Sequence, residues 1–354
     1  MHLDRRTFLG AMGATTAATV ASPLLAGEAS AAPRVGGTLA RGLRIPWGIA
    51  FLPNGDALVG ERVNGRVHRV DPRGGRRRVG DVDEAVAFGE GGLLGIAVSP
   101  NFSSDRWVYF YVTTSSDNRV VRRQYVGGEL GPSQVLLDGI ARTHNGSLSH
   151  HGGRLAFGPS GHLFVSTGDA GLGARSQDNG SLNGKILRLD ADGSIPSGNP
   201  IGGNPMWTKG HRNVQGLAWD GRGRMWASEF GQATRDELNQ IVAGDNYGWP
   251  DVEGGDGDGP VHDPFVTWRP TSTCSPSGIA YAGGRIWLGA LAGRSLYSVK
   301  LNAPRARRIV RHFHNRFGRI RTVQRAPDGS LWVTTSNSIP GSGPAVDKVI
   351  RIHV

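Results

Sequence analysis

The sequence is poor in cysteine, in lysine and in long apolar runs. Cys274 is the one cysteine among 354 residues, so the chain forms no intramolecular disulfide and no all-cysteine metal or iron–sulfur site. Lys185, Lys209, Lys300 and Lys348 are the only lysines among 40 basic residues; arginine supplies the rest. Charged residues make up 19% of the chain, and Ala, Glu, Lys and Leu fall short of what a coiled coil needs. Beyond residue 32 no segment approaches the roughly 20 strongly apolar residues of a membrane-crossing helix. The lack of a Gly-X-Y period excludes collagen, and aromatic and branched apolar residues throughout exclude a disordered chain.

Glycine is what the chain has in excess. With 55 Gly and 20 Pro, it reads as a globular protein rich in turns, and its length allows either two domains or one large closed β architecture. The formal charge is +11. A nucleic-acid binder gathers such charge into one stripe or arm. Here only short runs such as Gly75-Arg76-Arg77-Arg78 and Arg305-Ala306-Arg307-Arg308 occur, between strand-like segments, which is the pattern of solvated loops. No nucleic-acid partner is expected.

Residues 1–32 read as a twin-arginine signal peptide. Asp4-Arg5-Arg6-Thr7-Phe8-Leu9-Gly10 precedes a weakly apolar, Ala/Gly/Thr-rich stretch, and Ala29-Ser30-Ala31-Ala32 has the small residues of a cleavage site. The protein is therefore expected to be secreted or extracytoplasmic. With no cysteine near that site, no lipid anchor is expected.

From there one phrase recurs six times: a glycine or its equivalent, alternating apolar residues, a Pro/Gly/Asp turn and a second alternating run. The copies begin Gly48-Ile49-Ala50-Phe51, Gly95-Ile96-Ala97-Val98, Arg154-Leu155-Ala156-Phe157, Gly216-Leu217-Ala218-Trp219, Gly278-Ile279-Ala280-Tyr281 and Thr322-Val323-Gln324-Arg325. Period-two runs joined by Gly/Asn/Asp turns are hairpins. Six such units, none able to bury both faces alone, predict an all-β, six-bladed β-propeller of four-stranded antiparallel blades, one domain over 33–354. The run Gly37-Thr38-Leu39-Ala40, placed before the first phrase, is expected to complete the last blade. Long inserts at about 168–183, 192–210 and 250–276 lack strand pattern and read as functional or mobile loops.

Four segments hold candidate chemistry. His150 and His151 stand immediately before a strand, and histidine suits general base work; spacing does not separate the two. Arg212 and Asn213, in Gly210-His211-Arg212-Asn213, offer a cationic fork beside neutral donors, for a ligand or for a blade corner. Around Gly231, Gln232, Asp236, Glu237 and Tyr247, carboxylates stand among glycines and free carbonyls, which suits a hard cation such as Ca²⁺ or a set of rim acids. Arg319 and Arg321 alternate onto one side of a strand, and two like charges so close call for an anion or for solvent.

In this order the segments resemble the soluble PQQ-dependent glucose/sorbosone dehydrogenase family, including the aldose sugar dehydrogenases, from about Ile45 to the C-terminus. The pieces that carry the likeness are Gly91-Gly92-Leu93-Leu94-Gly95, His150 with Gly153-Arg154-Leu155, Asn183-Gly184-Lys185-Ile186-Leu187-Arg188-Leu189, Gly210-His211-Arg212-Asn213, Asp236-Glu237-Leu238-Asn239 and Asn246-Tyr247-Gly248-Trp249-Pro250. The resemblance implies a sugar substrate oxidised at its anomeric carbon to a lactone, with PQQ and Ca²⁺ bound and an electron acceptor it does not identify. It implies that His150, rather than His151, is the general base, while hydride passes to the quinone. It places Arg212 and Asn213 beside the quinone oxygens, Arg319 and Arg321 on the cofactor carboxylates, and Thr273 and Glu90 at further cofactor contacts. It assigns one Ca²⁺ to the backbone carbonyls of Gly231 and Gln232, and another to the positions of Glu237 and Tyr247.

The sequence also departs from the family. Glu90 stands where a glutamine is expected, Ala292 where some members carry a cofactor-contacting lysine, and Gln232 where a proline is usual. These changes keep two alternatives in view. One is a carbohydrate- or surface-binding propeller that has lost PQQ; the other is a calcium-dependent lactone hydrolase, which needs several carboxylate or amide ligands at the channel axis.

Overall fold

The computed structural model describes residues 32–255, 260–302 and 308–354. The expected signal peptide, apart from Ala32, and the Arg305-Ala306-Arg307 run lie outside the described residues. Six antiparallel sheets form the expected six-bladed propeller. The blades run from Pro46 to Asp81, Leu93 to Ile140, Leu155 to Lys209, Val214 to Trp268, Pro276 to His312, and Ile320 to His353. The last blade takes its outer strand from the other end of the chain: Arg34–Leu43 pairs antiparallel with Asp347–His353, from Arg34 opposite His353 to Leu43 opposite Asp347. This is the predicted closure, and it pairs an edge that would otherwise stand open.

The strands look almost continuously apolar because each has two buried faces. In the first blade, Leu58 packs toward the second blade against Leu93 and Phe110, while Ala57 and Val59 pack toward the sixth against Trp332 and Val349. In the fifth, Leu288 turns to the fourth blade and Trp287 to the sixth. Alternate residues of one strand thus feed two different cores, and six cores, one between each pair of neighbouring blades, hold the ring together. This follows from the two-residue period of a strand packed on both sides.

Two of the inserts contain more structure than their patterns suggest. Met206–Lys209 and Val266–Trp268 are the outer strands of the third and fourth blades. At three or four residues, each is too short to display an alternation.

The first strands of all six blades surround the central channel and run the same way. Their ends open at one mouth into a cavity of about 710 Å³. Their beginnings, with the loops that precede them, gather at the other mouth, where every candidate segment lies.

The joint between the first and last blades depends on Asp347. Its buried carboxylate accepts N–H groups from Ile45 at 3.0 Å and Ser338 at 3.1 Å, another from Asn337, and the Thr335 hydroxyl at 2.8 Å. Asp347→Ala leaves these donors without an acceptor. It is expected to lower unfolding stability by about 3 kcal/mol, read from the denaturant midpoint, whereas Asp347→Asn, which keeps one acceptor, is expected to lose less.

Candidate active site

The floor of the site is built by a defect repeated around the ring. Five of the six inner strands have a register irregularity near their first residues, at Pro46/Gly48, Leu93/Ile96, Val214/Gly216, Pro276/Ile279 and Ile320/Thr322. A bulge turns its extra residue away from the ladder. Here those positions include Trp47, Gln215, Ser277 and Arg321, which meet in the channel. Arg321 donates from Nη1 to Gln215 Oε1 at 3.0 Å and to Ser277 Oγ at 3.3 Å. Arg154 donates from Nε to the Gln215 carbonyl at 3.0 Å and from both terminal nitrogens to Thr322 Oγ1 at 3.3 Å. Both guanidinium groups lie over the Trp47 ring, Arg154 at 4.1 Å and Arg321 at 5.8 Å from its centroid. Burial pushes both arginines down to about 9.

His150 sits above this floor. Its φ is 66°, a left-handed conformation that a residue with a Cβ rarely adopts outside a constrained site. The surrounding backbone enforces it: Ala170 N donates to the His150 carbonyl at 3.2 Å, and a Cβ on Gly168 would come within 2.0 Å of that same oxygen. The close approach brings Asp169 alongside, and His150 Nδ1 lies 2.7 Å from Asp169 Oδ1. Asp169 is itself fixed by Gly171 N at 2.8 Å and by the Trp249 indole N–H at 2.8 Å. These donors and His150 hold its carboxyl below the usual range in spite of burial. The imidazole is thereby oriented, and Nε2 is the nitrogen left to act on a substrate.

The loop that carries Asp169 is anchored by Lys185. Its fully buried ammonium donates to the carbonyls of Arg175 at 2.7 Å, Ser176 at 3.1 Å and Asn183 at 2.8 Å. This gives the Asn183-Gly184-Lys185 motif a structural purpose.

His151 has a different setting. It is 2% exposed, its Nδ1 lies 3.0 Å from Asn118 Oδ1, and its carbonyl accepts the Tyr111 hydroxyl at 2.9 Å. It packs in the blade wall, and its neighbour alone has a carboxylate partner.

Arg212 and Asn213 occupy a corner held by Glu229, which accepts both of their backbone N–H groups and lies 2.9 Å from Nδ1 of the fully buried His211. His211 stacks on Tyr247 with ring centroids 4.7 Å apart. The Arg212 side chain donates to the Gly231 carbonyl at 2.9 Å and lies 5.4 Å from the Trp249 ring. Asn213 Oδ1 accepts Gly152 N and Gln215 Nε2, both at 3.0 Å, while its Nδ2 is buried without a partner.

Next to this corner is a small space of about 10 Å³, bordered by Arg212, Gly231, Glu229, Glu237, Tyr247 and Glu253, room for a single water or ion. Glu237 accepts Gly254 N at 2.7 Å and Asn239 Nδ2 at 2.9 Å. Burial and the neighbouring Glu229 raise its pKa, and Asn239 Oδ1 is a buried acceptor with no donor. Glu253 Oε1 collects the N–H groups of Gln232, Ala233, Thr234 and Arg235 at 2.9 to 3.3 Å. The Tyr247 hydroxyl is already engaged, donating to Gln240 O at 2.8 Å and accepting Val242 N at 2.9 Å. Among the described residues no three His, Cys, Asp or Glu side chains converge as a ready metal set.

The structure thus gathers His150, Glu90, Arg212, Asn213 and Arg321 at one mouth. Arg319 is exposed beside them. Thr273 lies in the loop before the fifth inner strand, exposed, with its hydroxyl donated to Pro270 O at 2.8 Å. Sequence reading does not single out Asp169, Trp249 or Arg62. An aspartate enclosed by Gly168 and Gly171 just after a strand was the one visible sign of the first.

Residues 43–341 match the family described as Glucose / Sorbosone dehydrogenase. The chain is similar to the PQQ-bound form of an aldose sugar dehydrogenase from Streptomyces coelicolor, with a TM-score of 0.85 and 44% identity, covering 91% of this chain and 98% of that one. It is 27% identical to an aldose sugar dehydrogenase of Escherichia coli (strain K12) across 83% of this chain and 87% of the relative. It is also 34% identical to quinoprotein glucose dehydrogenase B of Acinetobacter calcoaceticus, across 60% of this chain and 51% of that protein.

The burial of His151 has a consequence for pH. Burial pushes His151 down to about 4, with Glu90 opposing the shift. A folded pKa below the unfolded value of about 6.5 means that the unfolded chain binds the extra proton first. Stability is therefore complete above that value and falls as pH drops toward 4, by on the order of 3 kcal/mol. His151→Gln is expected to flatten this part of the stability profile, measured by denaturant unfolding between pH 7 and 4.

Proposed function

The chain belongs to the glucose/sorbosone dehydrogenase family, and from that premise we propose that it is an exported, PQQ-dependent dehydrogenase that oxidises an aldose at its anomeric carbon to the lactone. The observation that carries this reading is the His150–Asp169 pair, set at a mouth lined with unsatisfied donors. Nε of Arg62, Arg212 and Arg321 and Nδ2 of Asn213 are all buried without partners. Pyrroloquinoline quinone is a tricarboxylate with carbonyl oxygens, so its acceptors match what these donors lack.

When bound, the quinone supplies the two-electron acceptor for the hydride that leaves the anomeric carbon. His150 Nε2 takes the proton of the anomeric hydroxyl, so that the C–O bond gains its second pair as the C–H bond is lost. Asp169 holds the ring in position and stabilises the imidazolium that results. Arg212 and Asn213 would hold the quinone oxygens, where positive charge favours reduction. Arg319 and Arg321 would hold its carboxylates, with Glu90 and Thr273 at the rim.

Calcium is part of the same proposal. The small space beside Glu237 is bordered by three carboxylates, those of Glu229, Glu237 and Glu253, against the single guanidinium of Arg212, an excess of oxygen ligands that suits a hard cation. Glu237 would supply a carboxylate oxygen and Tyr247 its carbonyl. Gln232 would contribute a carbonyl to the cation nearer the cofactor; the Gly231 carbonyl is shared with Arg212. The channel axis, in contrast, holds guanidinium groups, the wrong charge for an axial cation, and this disfavours a calcium-dependent hydrolase. Export rests on the Arg5-Arg6 segment.

Expressed without residues 1–32 and supplied with PQQ and Ca²⁺, the protein is expected to reduce an artificial electron acceptor with at least one aldose. Failure with every aldose sinks the reading. His150→Ala is expected to lower kcat by roughly a thousandfold or more with PQQ affinity within a few-fold of the wild type, and Asp169→Asn by a smaller factor. A chelator is expected to lower the melting temperature and Ca²⁺ to restore it, a response that Glu237→Gln should blunt. A melting temperature indifferent to Ca²⁺ would remove calcium from the proposal.

A further inference from the structure

Arg62 is a guanidinium at the channel mouth that the cofactor roles above do not employ. Arg62 lies in the turn after the second strand of the first blade and is 7% exposed. Its side chain donates from Nη1 to the Gly89 carbonyl at 3.1 Å, and its Nε is buried with no partner, as is that of Arg321. Burial disfavours the charge of both, and they add to each other's difficulty: Arg62 is repelled by Arg319, and Arg321 by Arg62, Arg319 and Arg154. Such a cluster is costly unless an anion joins it.

Glu90 is the carboxylate that acts on all of these groups, favouring the charge of Arg62, Arg212, Arg319 and Arg321. Its hydrogen bond, however, is to the His150 backbone N–H at 3.1 Å, and no ion pair ties it to any of the four. One loosely placed carboxylate thus faces four guanidinium groups, two of them, Arg62 and Arg321, buried.

The Arg62 backbone, in turn, is clamped without help from its side chain. Its N–H donates to Ile45 O at 3.1 Å, and its carbonyl accepts Leu93 N at 3.0 Å. A Cβ on Gly92 would come within 2.1 Å of that carbonyl, so the Gly91-Gly92 pair lets the Glu90 loop lie directly against Arg62.

We propose that Arg62 is a further cofactor-holding guanidinium, its buried and unpartnered Nε answered by a carboxylate of the tricarboxylic quinone, and that Glu90 is the carboxylate that offsets its charge through space until the quinone enters. This rests on the PQQ reading above. It makes Glu90 a competitor of the ligand.

The test is PQQ binding to the apo-protein in the presence of Ca²⁺, followed by tryptophan fluorescence, together with the melting temperature in the absence of PQQ. Arg62→Met is expected to weaken PQQ binding at least tenfold while leaving the apo melting temperature unchanged or higher, because it relieves repulsion. Arg62→Lys should fall between, and Glu90→Gln should tighten binding. If the wild type binds PQQ and Arg62→Met binds it equally well, the inference is overturned and the functional reading stands. The inference also falls if Arg62→Met and Arg62→Lys both lower the apo melting temperature in step with affinity, since the side chain would then be structural. A wild type that binds no PQQ overturns both.

Discussion

At the mouth where the loops gather, carboxylates are satisfied by N–H groups, and the arginines are left over. Asp347 collects donors across the ring closure, Glu229 fixes the Arg212-Asn213 corner, Glu253 holds the turn at 232–235, and Asp169 joins His150 to Trp249 and Gly171. Each organises a loop by accepting several donors at one point, an economical way to order backbone that no sheet ladder reaches. The consequence is electrostatic. Acids engaged in this way keep their charge and act on the neighbouring guanidinium groups through space, but they leave Nε of Arg62, Arg212 and Arg321 without a partner, so the mouth keeps donors free for whatever enters.

The ring and its closure are legible in the sequence because they depend on a two-residue period and on turn glycines. Leu58 beside Val59, and Trp287 beside Leu288, show strands buried on both faces without any need to know what they touch. The short outer strands Met206–Lys209 and Val266–Trp268 are hidden for the opposite reason. The bulges are hidden too: Trp47, Gln215, Ser277 and Arg321 have no property in common except the place they reach, and a register irregularity leaves no mark in composition.

The site is legible to a lesser degree. His150 and His151 are equivalent as letters, and the difference between them is made by Asp169, 19 residues away in the chain, brought near by a glycine that tolerates the His150 carbonyl. Arg62 is similarly invisible in a chain with so many arginines. What distinguishes it is burial with an unused donor, a property of three dimensions. Family likeness supplied residue roles for the motifs it covers, but it had no motif for these two positions.

The cluster of Arg154, Trp47 and Arg321, joined by Gln215 and Thr322, divides the channel. All five side chains are buried, so the cavity at the far mouth and the candidate active site are separate compartments in one ring. Under the proposed function this leaves a single doorway. Sugar must enter by it, lactone must leave by it, and an acceptor that takes its electrons by contact must follow along the same path, so the two reactants take turns and each, in excess, stands in the way of the other.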